Sequence, residues 1–223
     1  EESLTLLASV SLVKIDFSTD FRLSPLHWII ADATSSIVVE SVAEGLRIYE
    51  NPVGVLTNNP TFDRQLFGLN NYMHLSRKPP QKNFAQNLDF DEYSRGMGAL
   101  GLPGDLSSAS RFVKAAFTKM NSVSGESEGE SVSQFFHILG SVAQQRGCVE
   151  VAPDSYEITI YSSCCNTSNV VYYYTTYYNS HDVARELPVD QGRADPDGEL
   201  PPGAGSRKSS TPPGFPDVRP GRG

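Results

Sequence analysis

The stretch Asn51-Pro52-Val53-Gly54-Val55-Leu56-Thr57-Asn58-Asn59-Pro60-Thr61-Phe62-Asp63 holds the change of element type on which the fold turns. Before it, Arg47–Glu50 reads as a strand. Within it, Val53–Asn58 reads as a second short strand piece, separated from the first by Asn51-Pro52, because proline cannot donate to a ladder. Asn59-Pro60 then predicts a helix start, with Asn59 as N-cap and Pro60 at the first helical position. Phe62, Leu66 and Leu69 continue at helical spacing. Asn58 therefore falls where a strand gives way to a helix, a place from which a side chain can point into a cleft.

Outward from this junction, strands and helices come in blocks. Leu4, Leu7, Ala8 and Leu12 form a helical stripe over 2–13, interrupted by Ser11. Leu26–Ala31 reads as a buried strand, Asp32–Ser36 as its turn and Ile37–Val39 as the returning strand. Residues 76–106 are loop-rich. Ser107–Met120 is predicted helical from Phe112, Ala116 and Met120, with Asp105, Ser107 and Ser108 as candidate caps. A second helix is predicted over 130–146, with Val132, Phe135, Phe136, Leu139 and Val142 on one face. Tyr156, Ile158 and Ile160 alternate into a strand, Asn166–Asn169 turns, and Val170–Tyr178 returns. Blocks of strands, then helices, then strands predict an α+β layered architecture.

Composition divides the 223 residues near position 180. The last segment, 181–223, holds eight of the 15 prolines, seven of the 18 glycines and a single aromatic, Phe215. Such a segment cannot bury enough surface to offset its ordering entropy, so it reads as a Pro/Gly-rich disordered tail. The net charge of −8 disfavours nucleic acid or an anionic membrane as partner, since both select a basic face. No apolar run approaches the ~18 residues of a membrane span. The three cysteines do not make a disulfide framework and read as reduced thiols of a cytoplasmic protein.

The chemistry-bearing residues are sparse. His27, His74, His137 and His181 lack zinc spacing, and no metal or organic cofactor is expected. His27 and His137 read as satisfied core or boundary histidines. Cys164 and Cys165, adjacent on a strand, point to opposite faces and read as small buried hydrophobes; Cys148, after a helix end, reads as structural. Arg111 sits near the first turn of its helix, where the dipole disfavours a cation. A positive side chain kept there can serve an anion or a thiolate; the plain alternatives are a surface ion pair for Arg111 and a turn role for Asn58.

Taken together, longer strings resemble the choloylglycine hydrolase family. They are Pro25-Leu26-His27-Trp28-Ile29-Ile30-Ala31-Asp32, Ile37-Val38-Val39-Glu40-Ser41 and the 51–63 stretch itself. Gly101-Leu102-Pro103-Gly104-Asp105-Leu106-Ser107-Ser108-Ala109-Ser110-Arg111-Phe112, Gln134-Phe135-Phe136-His137-Ile138-Leu139 and Tyr161-Ser162-Ser163-Cys164-Cys165-Asn166 complete the set. The resemblance spans about residues 1–180. It implies an N-terminal-nucleophile (Ntn) hydrolase fold, an αββα sandwich. It implies hydrolysis of the amide joining glycine or taurine to a bile acid, with penicillin V as the alternative substrate. In such enzymes an N-terminal Cys attacks, with its own α-amino group as base.

By the same resemblance Asn58 is an active-site donor to the reacting carbonyl or its oxyanion. Arg111 lies beside the nucleophile, favouring the thiolate. Phe17, Phe21 and Leu23 fall in a substrate-pocket loop. The family's nucleophile lies well upstream of Glu1, so the chain reads as an N-terminally truncated, C-terminal portion, inactive alone. Two alternatives place it as half of a split enzyme or as a non-catalytic bile-acid binding module. The abrupt change near 180 reads as a possible shifted reading frame. Full-length members are often homotetramers; for a truncated chain the resemblance fixes no assembly.

Overall fold

The computed structural model describes residues 26–186, preceded by Leu6, Leu7, Ser9, Val10, Val13, Ile15, Asp16, Ser18 and Thr19. Leu6 and Leu7 are helical, but Ser9 lies in a turn and Val10 and Val13 are non-helical, so the helix expected over 2–13 is corrected at these positions; its remaining residues lie outside the described ones, as do Phe17, Phe21 and Leu23. Helices and antiparallel sheets are mixed along the chain, and the described residues form one compact unit.

The first sheet contains β1 (His27–Ala31), β2 (Ser36–Val42) and β3 (Gly45–Glu50), in that order. The β1–β2 turn is set by Asp32, whose Oδ1 accepts the backbone N–H groups of Thr34 and Ser35 at 2.7 and 2.8 Å. These bonds and those from the Thr34 and Ser35 hydroxyls hold the Asp32 pKa at about 2. Alternate residues of the sheet face opposite sides. Val38 and Tyr49 are cross-strand partners on the side that meets the helices. The other side carries Trp28, Ile30, Ile37, Val39 and Ile48; Trp28, Ile30 and Ile48 are each more than one-third exposed. The expectation of a buried β1 is therefore corrected. It is an edge strand with Trp28, Ile29 and Ile30 each more than one-third exposed, while Val39 of β2, on the same side as Trp28, is 3 % exposed.

Helix α1 (Phe62–Gly68) continues into a 3-10 turn over Leu69–Tyr72. Its start differs from the expected Asn59 cap. Thr61 is the N-cap and makes no side-chain cap bond. The carboxylate of Glu40, on β2, instead accepts the Phe62 N–H at 3.0 and 3.2 Å. Glu40 is 1 % exposed and also lies 2.6 Å from His27 Nδ1. One buried carboxylate thus ties β1, β2 and the head of α1 together, and His27 is a partnered boundary histidine.

Helix α2 (Ser108–Asn121) begins at Ser107, whose hydroxyl accepts the Ser110 N–H. Ser108 is not a cap; its hydroxyl donates to Thr57 Oγ1 at 3.1 Å. Phe112 of α2, Phe62 of α1 and Val38 of β2 are fully buried against one another. The Phe62 and Phe112 rings meet edge to face at 6.0 Å. Burying side chains of this size contributes about 1.5–3 kcal/mol each, and this aromatic pair adds about 1 kcal/mol.

Helix α3 (Glu128–Gly140) opens with a capping box between Ser127 and Glu130. It ends six residues short of the expected 146. The Gln144 N–H goes to Thr159 Oγ1 at 2.8 Å and its carbonyl accepts the Thr159 N–H at 3.0 Å, so a neighbouring segment takes the groups a longer helix would use. The same pairing removes 157–160 from the expected strand. His137 is exposed, not a core residue.

A small ladder joins β4 (Glu150–Ala152) to β5 (Ser155–Tyr156). The last sheet has β6 (Tyr161–Asn166), β7 (Val171–Thr176) and β8 (Asn179–Glu186) in order. Glu128, at the head of α3, anchors the β6–β7 turn by accepting from Asn166 Nδ2 at 2.6 Å, Asn169 Nδ2 at 2.9 Å and the Tyr173 hydroxyl at 2.8 Å. Cys164 is buried as expected, but Cys165 is exposed, which corrects the reading of both as buried; strand neighbours face opposite sides, so only one faces the packed side. Strand β8 carries the fold six residues past the compositional boundary at 180. Its partner β7 supplies the ladder, which composition alone does not register.

Candidate active site

Val53–Asn58 is not the expected strand piece; it belongs to a loop over 51–61. Its backbone groups are satisfied by side chains. Asn51, 5 % exposed, accepts the Gly54 N–H at 2.8 Å and donates to Val55 O at 3.1 Å. This turns the chain at Gly54, whose φ of +59° lies in the left-handed region that glycine tolerates. A Cβ there would collide with Lys119 Nζ, which donates to Val53 O.

Further along, Gln65 reaches back from α1. Its Nε2 donates to the carbonyls of Asn58 and Pro60, both at 2.6 Å, and its Oε1 accepts from the Thr57 hydroxyl at 2.7 Å. Gln65 is 4 % exposed. Asn58 is thus held through its main chain by a buried clamp, while its side chain is exposed.

Arg111 approaches from the first turn of α2. Its Nε donates to Leu106 O at 3.1 Å and an Nη donates to Asn58 Oδ1 at 2.8 Å. The two residues singled out from sequence, 53 positions apart, are therefore in direct contact. The surface ion pair considered for Arg111 is not formed: among the described residues no carboxylate lies within 4.0 Å of it. With Oδ1 taken by the guanidinium, Asn58 Nδ2 remains as a donor.

Asn58 and Arg111 line a cleft of about 660 Å³ with Ser107, Gln144, Cys148 and Glu157, among others. Asp105 lies on its rim, held at a pKa of about 2 by the hydroxyls of Ser107 and Ser110 and the Ser107 N–H. A larger recess of about 1030 Å³ lies along the β1–β2 turn; Glu50 lines it, and of its other charged residues Asp32 is committed to the turn and Lys119 donates to Val53 O. The smaller cleft is where a donor set faces open space.

Cys148 is exposed and shares this cleft, a placement the structural reading missed. No spacing signal links position 148 to 58 or 111; the link is tertiary. Cys164 is buried, and that burial pushes its thiol pKa up, so it is a poor nucleophile. Among the described residues no three His, Cys, Asp or Glu side chains gather as a metal site, and no helix is long and apolar enough to cross a membrane.

The family model described as linear amide C–N hydrolases, choloylglycine hydrolase family, matches residues 1–188. The chain belongs to the choloylglycine hydrolase family. It is 64 % identical over 174 residues to a bile salt hydrolase/transferase of Lactiplantibacillus plantarum, covering 78 % of this chain and 54 % of that protein. It is 37 % identical over 190 residues to a bile salt hydrolase/transferase of Clostridium perfringens, covering 84 % and 57 %. Its fold matches the crystal structure of a variant conjugated bile acid hydrolase from Clostridium perfringens with a TM-score of 0.75 at 35 % identity, over 83 % of this chain and 57 % of that one. A penicillin V acylase from Agrobacterium tumefaciens shares the fold at a TM-score of 0.57 and 20 % identity. The chain spans about half the length of the curated relatives it matches.

Proposed function

We propose that this choloylglycine hydrolase family chain carries the carbonyl-binding side of an amide hydrolase site, part of an Ntn-type αββα sandwich, acting on glycine- or taurine-conjugated bile acids. The observation that supports it is the 2.8 Å hydrogen bond from Arg111 to Asn58 Oδ1. It turns the Asn58 amide so that its NH2 group is the end left for a ligand. A donor fixed before substrate arrives stabilises the charge that develops on a carbonyl oxygen under attack, and needs no reorganisation at that moment. The Arg111 guanidinium adds a positive field for an oxyanion or a thiolate. By the family resemblance the attacking group is the thiol of an N-terminal Cys with its own α-amino group as base, which the Asn58–Arg111 pair would serve.

Calorimetry with glycocholate and taurocholate tests the binding. Saturable binding that weakens about tenfold or more in Asn58→Ala and in Arg111→Ala is expected, since the first removes the donor to the carbonyl and the second the bond that orients it. Binding unchanged in both variants would refute the site. Release of glycine or taurine by this chain, abolished in Cys148→Ser, would show that the cleft cysteine itself attacks.

A further inference from the structure

The buried carboxylate of the first sheet lies outside the cleft, yet the bonds it makes lead there. Glu40 is 1 % exposed and sits on β2. It lies 2.6 Å from His27 Nδ1 and accepts the Phe62 N–H at 3.0 and 3.2 Å, and among the described residues no Lys or Arg nitrogen comes within 4.0 Å of it. A carboxylate buried this deeply adds little net stability, because its desolvation opposes the bonds it gains. What it supplies is an acceptor at a fixed reach. Thr61, at the N-cap, makes no side-chain cap bond, and its hydroxyl is engaged by Asp63 instead. The head of α1 is therefore held by the sheet, and its place is set by the length of the Glu40 side chain.

Gln65 lies three residues further along α1 and closes on Asn58 O and Pro60 O at 2.6 Å each. The segment 58–62 is thus pinned by two buried side chains, one from the sheet and one from the helix, and Asn58 at its start meets Arg111. We infer that Glu40 is a positioning residue for the cleft: its reach fixes the head of α1 and, through Gln65, the Asn58 amide against Arg111. The charge of Glu40 is not what acts. The consequence for a ligand rests on the carbonyl-binding reading of the cleft, whereas the place of the Asn58 amide is measurable with no ligand present.

Two substitutions separate reach from charge. Glu40→Gln keeps the length and an acceptor for the Phe62 N–H and drops the charge, His27 taking the tautomer that accepts from the side-chain amide. Glu40→Asp keeps the charge and is one methylene shorter. The first readout is NMR of the Asn58 side-chain NH2 in this chain, its signals assigned by their loss in Asn58→Ala and their released position taken from Arg111→Ala. They stay in place in Glu40→Gln and move toward the released position in Glu40→Asp. The second readout is calorimetry with glycocholate: affinity stays within about twofold of the wild-type chain in Glu40→Gln and is about fivefold weaker in Glu40→Asp, the loss expected when one hydrogen bond is weakened. In a Gln65→Met background, Glu40→Asp weakens binding further by less than about twofold, since both act along one route. Unmoved Asn58 signals in Glu40→Asp, moved signals in Glu40→Gln, or losses that add in full across the two positions overturn the role of Glu40. A wild-type chain that binds no glycocholate removes the carbonyl-binding reading alone, and the NMR comparison still decides on Glu40. Where thermal melts show Glu40→Asp unfolded, the Asn58 signals of Glu40→Gln decide.

Discussion

Gln65 is the residue through which the fold sets the site, and Gln65→Met isolates its effect. Methionine keeps the unbranched length and much of the volume, so the buried position stays filled. What is lost are the bonds to Asn58 O and Pro60 O at 2.6 Å each and the one accepted from Thr57 at 2.7 Å. Each contributes about 1 kcal/mol net, so the three together amount to about 3 kcal/mol, with the orphaned carbonyls setting the upper end. Thr57 keeps a partner in the Ser108 hydroxyl, which limits the loss there. With a urea m-value of about 2 kcal/mol/M, the unfolding midpoint falls by about 1.5 M at unchanged m. Bile-acid binding should fall with it even at low denaturant, because Asn58 loses the anchor of its main chain. A midpoint drop smaller than about 0.3 M, or full binding by the variant, would refute the view that side-chain bonds to this loop replace a strand ladder.

Other expectations follow from the same coordinates. The Asp105 pKa is lowered from 3.8 to about 2, so its contribution to stability is present above pH 3.8 and is lost as pH falls toward 2. The stability gap between the wild-type chain and Asp105→Asn, read by urea titration, should therefore close over that interval; a gap constant with pH would contradict the bonding at the α2 start. Of the three thiols, Cys148 and Cys165 are exposed and should react promptly with a disulfide reagent, while Cys164 reacts only on denaturation. Three fast equivalents would place Cys164 at the surface. Trp28 is the single tryptophan and lies with Ile30 and Ile48 on the outward face of the first sheet. Its fluorescence should be quenched by acrylamide, and Ile30→Lys should reduce both dye binding and self-association. A monodisperse chain that binds no hydrophobic dye would count against an open apolar face.

Much of the fold was legible locally. Helix α2 was predicted within one residue at each end, because its apolar spacing and the Ser107 cap act within a single turn. Both main hairpins were legible from β-rich or apolar runs on either side of turn residues, Asp32 and Asn166, whose side chains bond to backbone two and three residues on, although the alternating residues 156–160 fall outside β6. The misses share a cause. The α1 start, the early end of α3 and the non-strand course of 53–58 and 157–160 all depend on bonds from distant residues: Glu40 to Phe62, Thr159 to Gln144, and Gln65 to the loop. A propensity reading cannot contain them.

The amino-acid sequence by itself determined the family, the α+β order of elements and the choice of Asn58 and Arg111, since these reside in residue identities and short-range spacing. Only the tertiary structure decided that the two side chains touch, that Arg111 orients the Asn58 amide, and that Gln144 and Cys148 share their cleft. Contact across 53 residues is made by the packing of Phe62 and Phe112, which brings α1 and α2 together. The energy of that packing depends on which surfaces meet in three dimensions, not on the order in which the residues are written.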